Sequence, residues 1–231
     1  MRDNGAYVPS LTVKSLRKEY RQPDGSTAIA LRLDSLAALG GEAIAVTGPS
    51  GSGKTTLLRL LAALIRPSGG EISFNGQDLS LLGPSEARWR ASAVGYVCQE
   101  MNLLPDFSVM ENMMLAGEIS GMGRAAARER AAALLRRLGI GGKAGSRPSE
   151  LSLGERQRAA VARAVLHSPP LVLADEPTAS LDAENSRVVM KVLLELCSES
   201  SSLLLVATHD DEVIKLLPRE IPLKRSEAPS P

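Results

Sequence analysis

The chain carries almost no net charge: 27 basic against 26 acidic residues in 231 leave +1. So even a balance argues against a nucleic-acid-binding face. Cysteine is nearly absent, and Cys98 and Cys197 stand far apart in no metal or redox spacing. A reducing compartment is the simplest setting for such usage. No apolar run approaches the ~18 residues that cross a bilayer. The most apolar window, LLRLLAALI (57–65), is short and carries Arg59. MRDNGAYVPS, at the start, has no apolar stretch of the kind a secretory signal needs, so none is predicted. If this protein works at a membrane, another chain must supply the crossing.

What remains is an ordinary folding composition, 44% apolar and 23% charged, enough for one domain or one plus a subdomain. There is no solenoid-type repeat; alanine enrichment at 125–133 is the only compositional bias. LTVKSLRKEY and TAIALRLDSL read as strands flanking RQPDGS, whose Pro-Asp-Gly order is a turn signal. GEISFNGQDL gives a strand and an Asn-Gly turn. Residues 84–92 suit a helix, 93–99 a buried strand, and 108–139 are helical in character, with Ala131, Leu134, Leu135 and Leu138 on one face. The arginines between 124 and 137 read as a solvated face, and GIGGKAGSRP (139–148) as a flexible connector. A helix over 153–167, a strand in PPLVLAD, a helix over 181–197 and a strand in SLLLVATHD follow. In the 181–197 helix Leu181, Val188, Val189, Val192, Leu193 and Leu196 share a face. Apolar strands alternating with helices predict an α/β fold with a largely parallel sheet. The tail from about 225 to 231 is predicted to be disordered.

Three stretches carry chemistry. EAIAVTG leads into GPSGSGKT (48–55), which fits G-x-x-x-x-G-K-[ST] between a predicted strand and the predicted helix KTTLLRLLAALI. Its glycines let backbone N–H groups turn inward on phosphate oxygens, Lys54 adds a point charge, and Thr55 offers an oxygen to Mg²⁺. LVLADE ends a predicted strand with Asp175 and Glu176, at the carboxyl edge where ligands of open α/β sheets sit. Asp175 is predicted to hold Mg²⁺, and Glu176 to orient or deprotonate a water. ELSLGERQR begins as a capped helix: Ser152 and Glu155 form an S-x-x-E capping box. A capped N-terminus carrying Ser and Gly also suits an anion. It therefore poses the question of a second phosphate contact.

The phosphate loop, VCQ with Gln99, LSLGERQR, LVLADEPT, ASLD and THD together resemble the ATP-binding cassette (ABC) ATPases in order and separation, over nearly the whole chain. The resemblance implies a phosphate-loop NTPase core on a mostly parallel sheet, an antiparallel β portion at the N-terminus, and a helical subdomain at about 100–150. It implies a head-to-tail homodimer around two ATP molecules, with Ser152 and Gly154 meeting the γ-phosphate held by the partner copy. Gly48, Pro49, Ser50, Gly51, Ser52, Gly53, Lys54, Thr55 and Thr56 then form the phosphate cradle, and Tyr20 matches the aromatic that stacks on adenine. Gln99 matches the residue that meets Mg²⁺ and the attacking water, Asp182 the loop coupling the two sites, and His209 the histidine on the γ-phosphate. Lys54 and His209 would stabilise the charge that develops there. His167 has no counterpart in the pattern and reads as structural.

VCQEMNLLPDFSVMEN is further similar to exporters of lipoproteins, macrolides or peptides, which implies an integral membrane permease as partner and a place on the cytoplasmic face of the membrane. A regulatory ABC ATPase of cell-division or cell-wall machinery is the other reading. Leu153 stands where the usual signature has Gly, and Glu155 where it has Gln. The region after His209 lacks the usual terminal hairpin.

Overall fold

The computed structural model describes residues 8–82 and 86–225. Two sheets organise it. β1 (Ser10–Arg21) and β2 (Thr27–Leu39) pair antiparallel, joined by the predicted Pro-Asp-Gly turn, where Gln22 N–H donates to the Ser26 carbonyl at 2.8 Å. β4 (Gly69–Phe74) and the short β5 (Gln77–Asp78) complete this sheet in the order β2-β1-β4-β5. Asn75 and Gly76 between them have φ of 58° and 78°, the paired left-handed geometry that an Asn-Gly hairpin supplies.

The second sheet is parallel, in the order β6-β7-β8-β3-β9. Its strands are β3 (Ala43–Thr47), β6 (Val94–Val97), β7 (Leu171–Asp175), β8 (Leu203–Ala207) and β9 (Arg219–Pro222). Alternation inside the apolar runs divides the core between two faces. Ile44, Val46, Leu171, Leu173, Leu203 and Leu205 pack towards the antiparallel sheet and helix α1 (Lys54–Leu61). Ala45, Val172, Ala174, Leu204 and Val206 pack towards α5 (Leu153–Val165) and α6 (Ala183–Glu199). Strands buried on both faces read as continuous apolar runs for this reason.

Three helical expectations are revised. α1 ends at Leu61 rather than near 65, because Ala63 turns left-handed (φ 50°) and Leu64 N–H reaches back to the Arg59 carbonyl at 2.9 Å. That is a Schellman stop with alanine in glycine's place, and the Arg90 guanidinium holds the Ala63 carbonyl at 2.9 Å. The helical stretch 108–139 is two helices, α3 (Val109–Ile119) and α4 (Arg124–Arg137), broken at Gly121 with φ +87°. α6 begins at Ala183, so Leu181 precedes it, and Val188, expected on the packed face, is 39% exposed. Val188 lies about 100° around the helix from Val189 and so falls past the edge of the Val189–Leu193–Leu196 stripe.

Residues 139–148 form the bend between α4 and α5, and short 3₁₀ turns cover Gly141–Lys143 and Pro148–Glu150. α2 spans Glu86–Ala93; Pro84 and Ser85 of the helix expected there lie outside the described residues, as does the tail from 226. α7 (Asp211–Ile214) and β9 stand where no element was expected. Among the described residues no helix is long and apolar enough to cross a membrane.

Candidate functional site

β3 runs into the phosphate loop at the carboxyl edge of the parallel sheet, and α1 leaves it. Three of its glycines adopt backbone angles that side chains resist: Gly48 (φ +140°), Gly51 (+79°) and Gly53 (+96°). At two of them the surroundings forbid a Cβ as well. An added carbon on Gly48 would lie 2.4 Å from the Leu223 carbonyl oxygen, and one on Gly53 2.4 Å from that of Ala30. The loop is therefore pinched between β2 and the chain leaving β9. Lys54 Nζ donates to the Gly48 carbonyl at 2.7 Å and more weakly to that of Pro49 at 3.4 Å. The Ser52 hydroxyl is buried with no hydrogen-bond partner among the described residues. A curled loop with an inward lysine and an orphaned hydroxyl fits a phosphate-bearing ligand.

The acids fall beside it. Asp175 closes β7 and is 3% exposed; burial pushes its carboxyl above the usual range, while the Thr55 hydroxyl hydrogen-bonds it and draws it back. Glu176, the next residue, is left-handed (φ 50°), an uncommon backbone for a glutamate. That turn lets its amide donate to the Ala207 carbonyl at 2.9 Å and swings its carboxyl across the end of β8. There Oε1 lies 2.7 Å from His209 Nδ1, and Oε2 accepts from the Thr208 hydroxyl at 3.3 Å. Glu176 is mostly covered, whereas the His209 side chain is 75% exposed.

A cavity of about 640 Å³ gathers these groups: Gly48 to Thr56, Gln99, Asp175, Glu176, Ala179, His209 and Ala30 line it. Tyr20 is not among its lining residues. It pairs with Ala28 across β1–β2, next to a bulge at Ala30, and stands 46% exposed under the Lys18 ammonium, 5.1 Å from the ring centre. Ser152 and Gly154 are likewise apart from the cavity. The capping box forms as the sequence predicts: Ser152 Oγ accepts from Glu155 N–H at 3.2 Å, and Glu155 Oε2 accepts from Ser152 N–H at 2.8 Å. Leu153, 49% exposed, lines a neighbouring cavity of about 520 Å³ that also reaches Gln99 and Glu176.

Asp182 caps α6, accepting from Asn185 N–H and Nδ2, both at 2.8 Å, and these bonds hold its carboxyl below the usual range. Arg158 of α5 donates to Asn185 Oδ1 at 2.6 Å, so one polar chain ties the LSLGERQR helix to the ASLD turn. The sequence pattern passed over Arg158, Asn185 and Thr208. A polar residue facing along α5 and an Asn three places after Asp182 were the available signals. His167 sits after α5 with both ring nitrogens covered and unpartnered. It lines a third cavity, of about 340 Å³ and mostly apolar, together with Tyr96, Leu104, Ile119 and Arg163.

Fold and cavity together define a phosphate-loop nucleoside triphosphatase. The family model described as ABC transporter matches residues 32–179. The chain is 39% identical over 215 residues to the lipoprotein-releasing system ATP-binding protein LolD of Shewanella sp. (strain MR-4), covering 93% of each. It is 41% identical over 207 residues to the pyoverdine export ATP-binding/permease protein PvdT of Pseudomonas savastanoi pv. phaseolicola, covering 89% of this chain and 31% of that longer protein. Its fold superposes on the ATP-binding cassette MJ0796, a dimer in a post-hydrolysis state with ADP and Pi, with TM-score 0.88 and 32% identity over 95% of this chain and 97% of that one. The chain belongs to the ABC transporter family and is an ATP-binding, ATP-hydrolysing cassette.

Proposed function

We propose that this chain is the ATPase subunit of an exporter, working as a head-to-tail homodimer that drives a separate membrane permease from the cytoplasmic face. The cargo class is a lipoprotein, lipid, peptide or drug, in keeping with relatives named for lipoprotein release and pyoverdine export. The chain acts as one cassette, with α3, α4 and the turns up to 150 as its helical subdomain.

Separation of the site's parts carries the reading. Loop, acids, Gln99 and His209 share one cavity, while Ser152 and Gly154 stand outside it at the capped N-terminus of α5. A second copy turned head to tail supplies to each cavity what the chain does not bring to its own. Ser152 then offers its hydroxyl and Gly154 its backbone to a γ-phosphate, with the α5 dipole behind them. Tyr20, exposed near the end of β1, takes the adenine.

Within the cavity, Lys54 leaves the Gly48 carbonyl for phosphate oxygens, and the buried Ser52 hydroxyl gains its missing partner. Thr55, Asp175 and Gln99 are the groups that would hold Mg²⁺, which offsets phosphate charge when bound. Glu176 orients the attacking water and accepts its proton. His209, held at 2.7 Å by Glu176, presents its exposed ring to the γ-phosphate. Asp182, fixed at the head of α6, lies on the polar chain that joins the two halves of the interface.

Light scattering of Glu176→Gln with ATP tests the arrangement. The variant binds ATP, fails to hydrolyse it and accumulates as a dimer. A variant that stays monomeric at saturating ATP removes the sandwich from the proposal. Co-expression with candidate permeases tests the partner: a co-purifying integral membrane protein that stimulates ATP hydrolysis is the expected result.

A further inference from the structure

Gln99 lies in a turn held partly by its own backbone, with Asn102 N–H donating to the Glu100 carbonyl at 2.7 Å, and partly from outside. Met101 N–H donates to the Cys98 carbonyl at 2.9 Å, closing a four-residue turn with Gln99 at its first corner. The turn then continues through two successive left-handed residues, Met101 (φ 61°) and Asn102 (φ 46°). Neither is glycine, and a left-handed pair is unfavourable for residues with a Cβ. Both of their carbonyls turn to one side, where Arg163 meets them: Nη2 donates to Met101 at 2.9 Å and Nη1 to Asn102 at 2.6 Å. Arg163 projects from the last turn of α5, the helix whose first turn carries Ser152 and Gly154. Arg163 is half-buried, and burial draws its pKa below the ordinary arginine range. Among the described residues it makes no salt bridge, so the two carbonyls are its compensation for desolvation.

We propose that Arg163 is a positioning residue for hydrolysis: its planar fork holds the left-handed turn 101–102 and thereby aims Gln99 into the phosphate cavity. The fork geometry matters because one rigid group satisfies two carbonyls at once; a lysine ammonium in its place reaches one. Since Arg163 rides on α5, a shift of that helix carries the turn, and Gln99 with it. The inference rests on the role proposed for Gln99, and its test separates the two.

Amide exchange of the nucleotide-free chain and steady-state hydrolysis are measured for Arg163→Lys, Arg163→Ala, Gln99→Ala and the Arg163→Lys/Gln99→Ala pair. Arg163→Lys, which keeps the charge and one donor, is expected to fold. It speeds exchange at Met101, leaves the ATP dissociation constant within about twofold, and lowers kcat by ~10-fold. Arg163→Ala does the same more strongly. On the Gln99→Ala background the lysine substitution costs less than a further twofold, since it acts through the side chain already removed. Arg163→Lys with unchanged kcat, or with a loss that multiplies fully on the Gln99→Ala background, overturns the inference and leaves the role of Gln99 standing. Gln99→Ala with full kcat overturns that role and the inference together.

Discussion

His167 makes stability depend on pH in a way that can be worked out beforehand. The ring follows α5, its two nitrogens are buried without partners, and Arg130 of α4 lies close enough to repel added charge while bonding the Ser168 hydroxyl. Burial first, and Arg130 second, lower its pKa to about 4 from 6.5. The folded ring therefore stays neutral where the unfolded one protonates. Between those two values the unfolded chain binds more protons, so stability is full above pH 6.5, falls as the pH drops, and stops falling below 4. At pH 5 the two values give ~2 kcal/mol relative to pH 7, and solvent reaching the partly covered ring trims this to about 1–2 kcal/mol. For a chain of this size that is roughly 3–6 °C in Tm. Other groups titrate across the same range, so the useful quantity is the gap between the wild type and His167→Leu, which removes the ring while filling its space. The wild type should lose that much more than the variant between pH 7 and pH 5 in thermal or urea melts. Parallel curves would refute the reasoning, because the folded ring would then be taking its proton at the ordinary pH.

Other perturbations follow from the same geometry. Gly53→Ala drives a carbon onto the Ala30 carbonyl and forces a left-handed alanine, so nucleotide affinity should fall at least ~10-fold in fluorescence titration while β-sheet circular dichroism persists. Asn112 of α3 is buried and bonds Leu104 through both N–H and carbonyl, as well as the Phe107 and Ser108 carbonyls; Asn112→Ala should cost ~2–4 kcal/mol in denaturant unfolding and loosen 104–108 first in amide exchange. Leu153→Gly should change ATP turnover without changing the nucleotide affinity of the single chain, because Leu153 lies outside the cradle; altered affinity would place its effect within one chain.

Much of this architecture was legible in residue order. The buried strands showed as apolar runs, the hairpins as Pro-Asp-Gly and Asn-Gly, and the cradle as glycines placed where a Cβ has no room. Ser152 and Glu155 formed the box their spacing promised. Helix ends were less legible, because their determinants are distant. Arg90 steadies the alanine that stops α1, and Gly121 inside a helical pattern did not show on which side the break would fall. Tyr20 matched a motif, but a motif says nothing about whether the ring enters the cavity. The missed groups, Thr208, Asn185 and Arg163, act by bonds to residues 32, 3 and 62 positions away, and no local pattern encodes the two long-range ones.

β9 gives the phosphate loop an unexpected history. The motif is encoded early, yet β3 finds its two neighbours only in β8 and β9, and Gly48 is closed over by the Leu223 carbonyl. During synthesis the nascent chain therefore carries a complete nucleotide motif with no finished cradle, until the segment through Leu223 has left the ribosome. The geometry predicts that ATP binding follows the docking of β9 on β3 rather than preceding it. A stalled or truncated product ending before β9 would lack one wall of the cradle and is expected to bind ATP weakly in equilibrium titration.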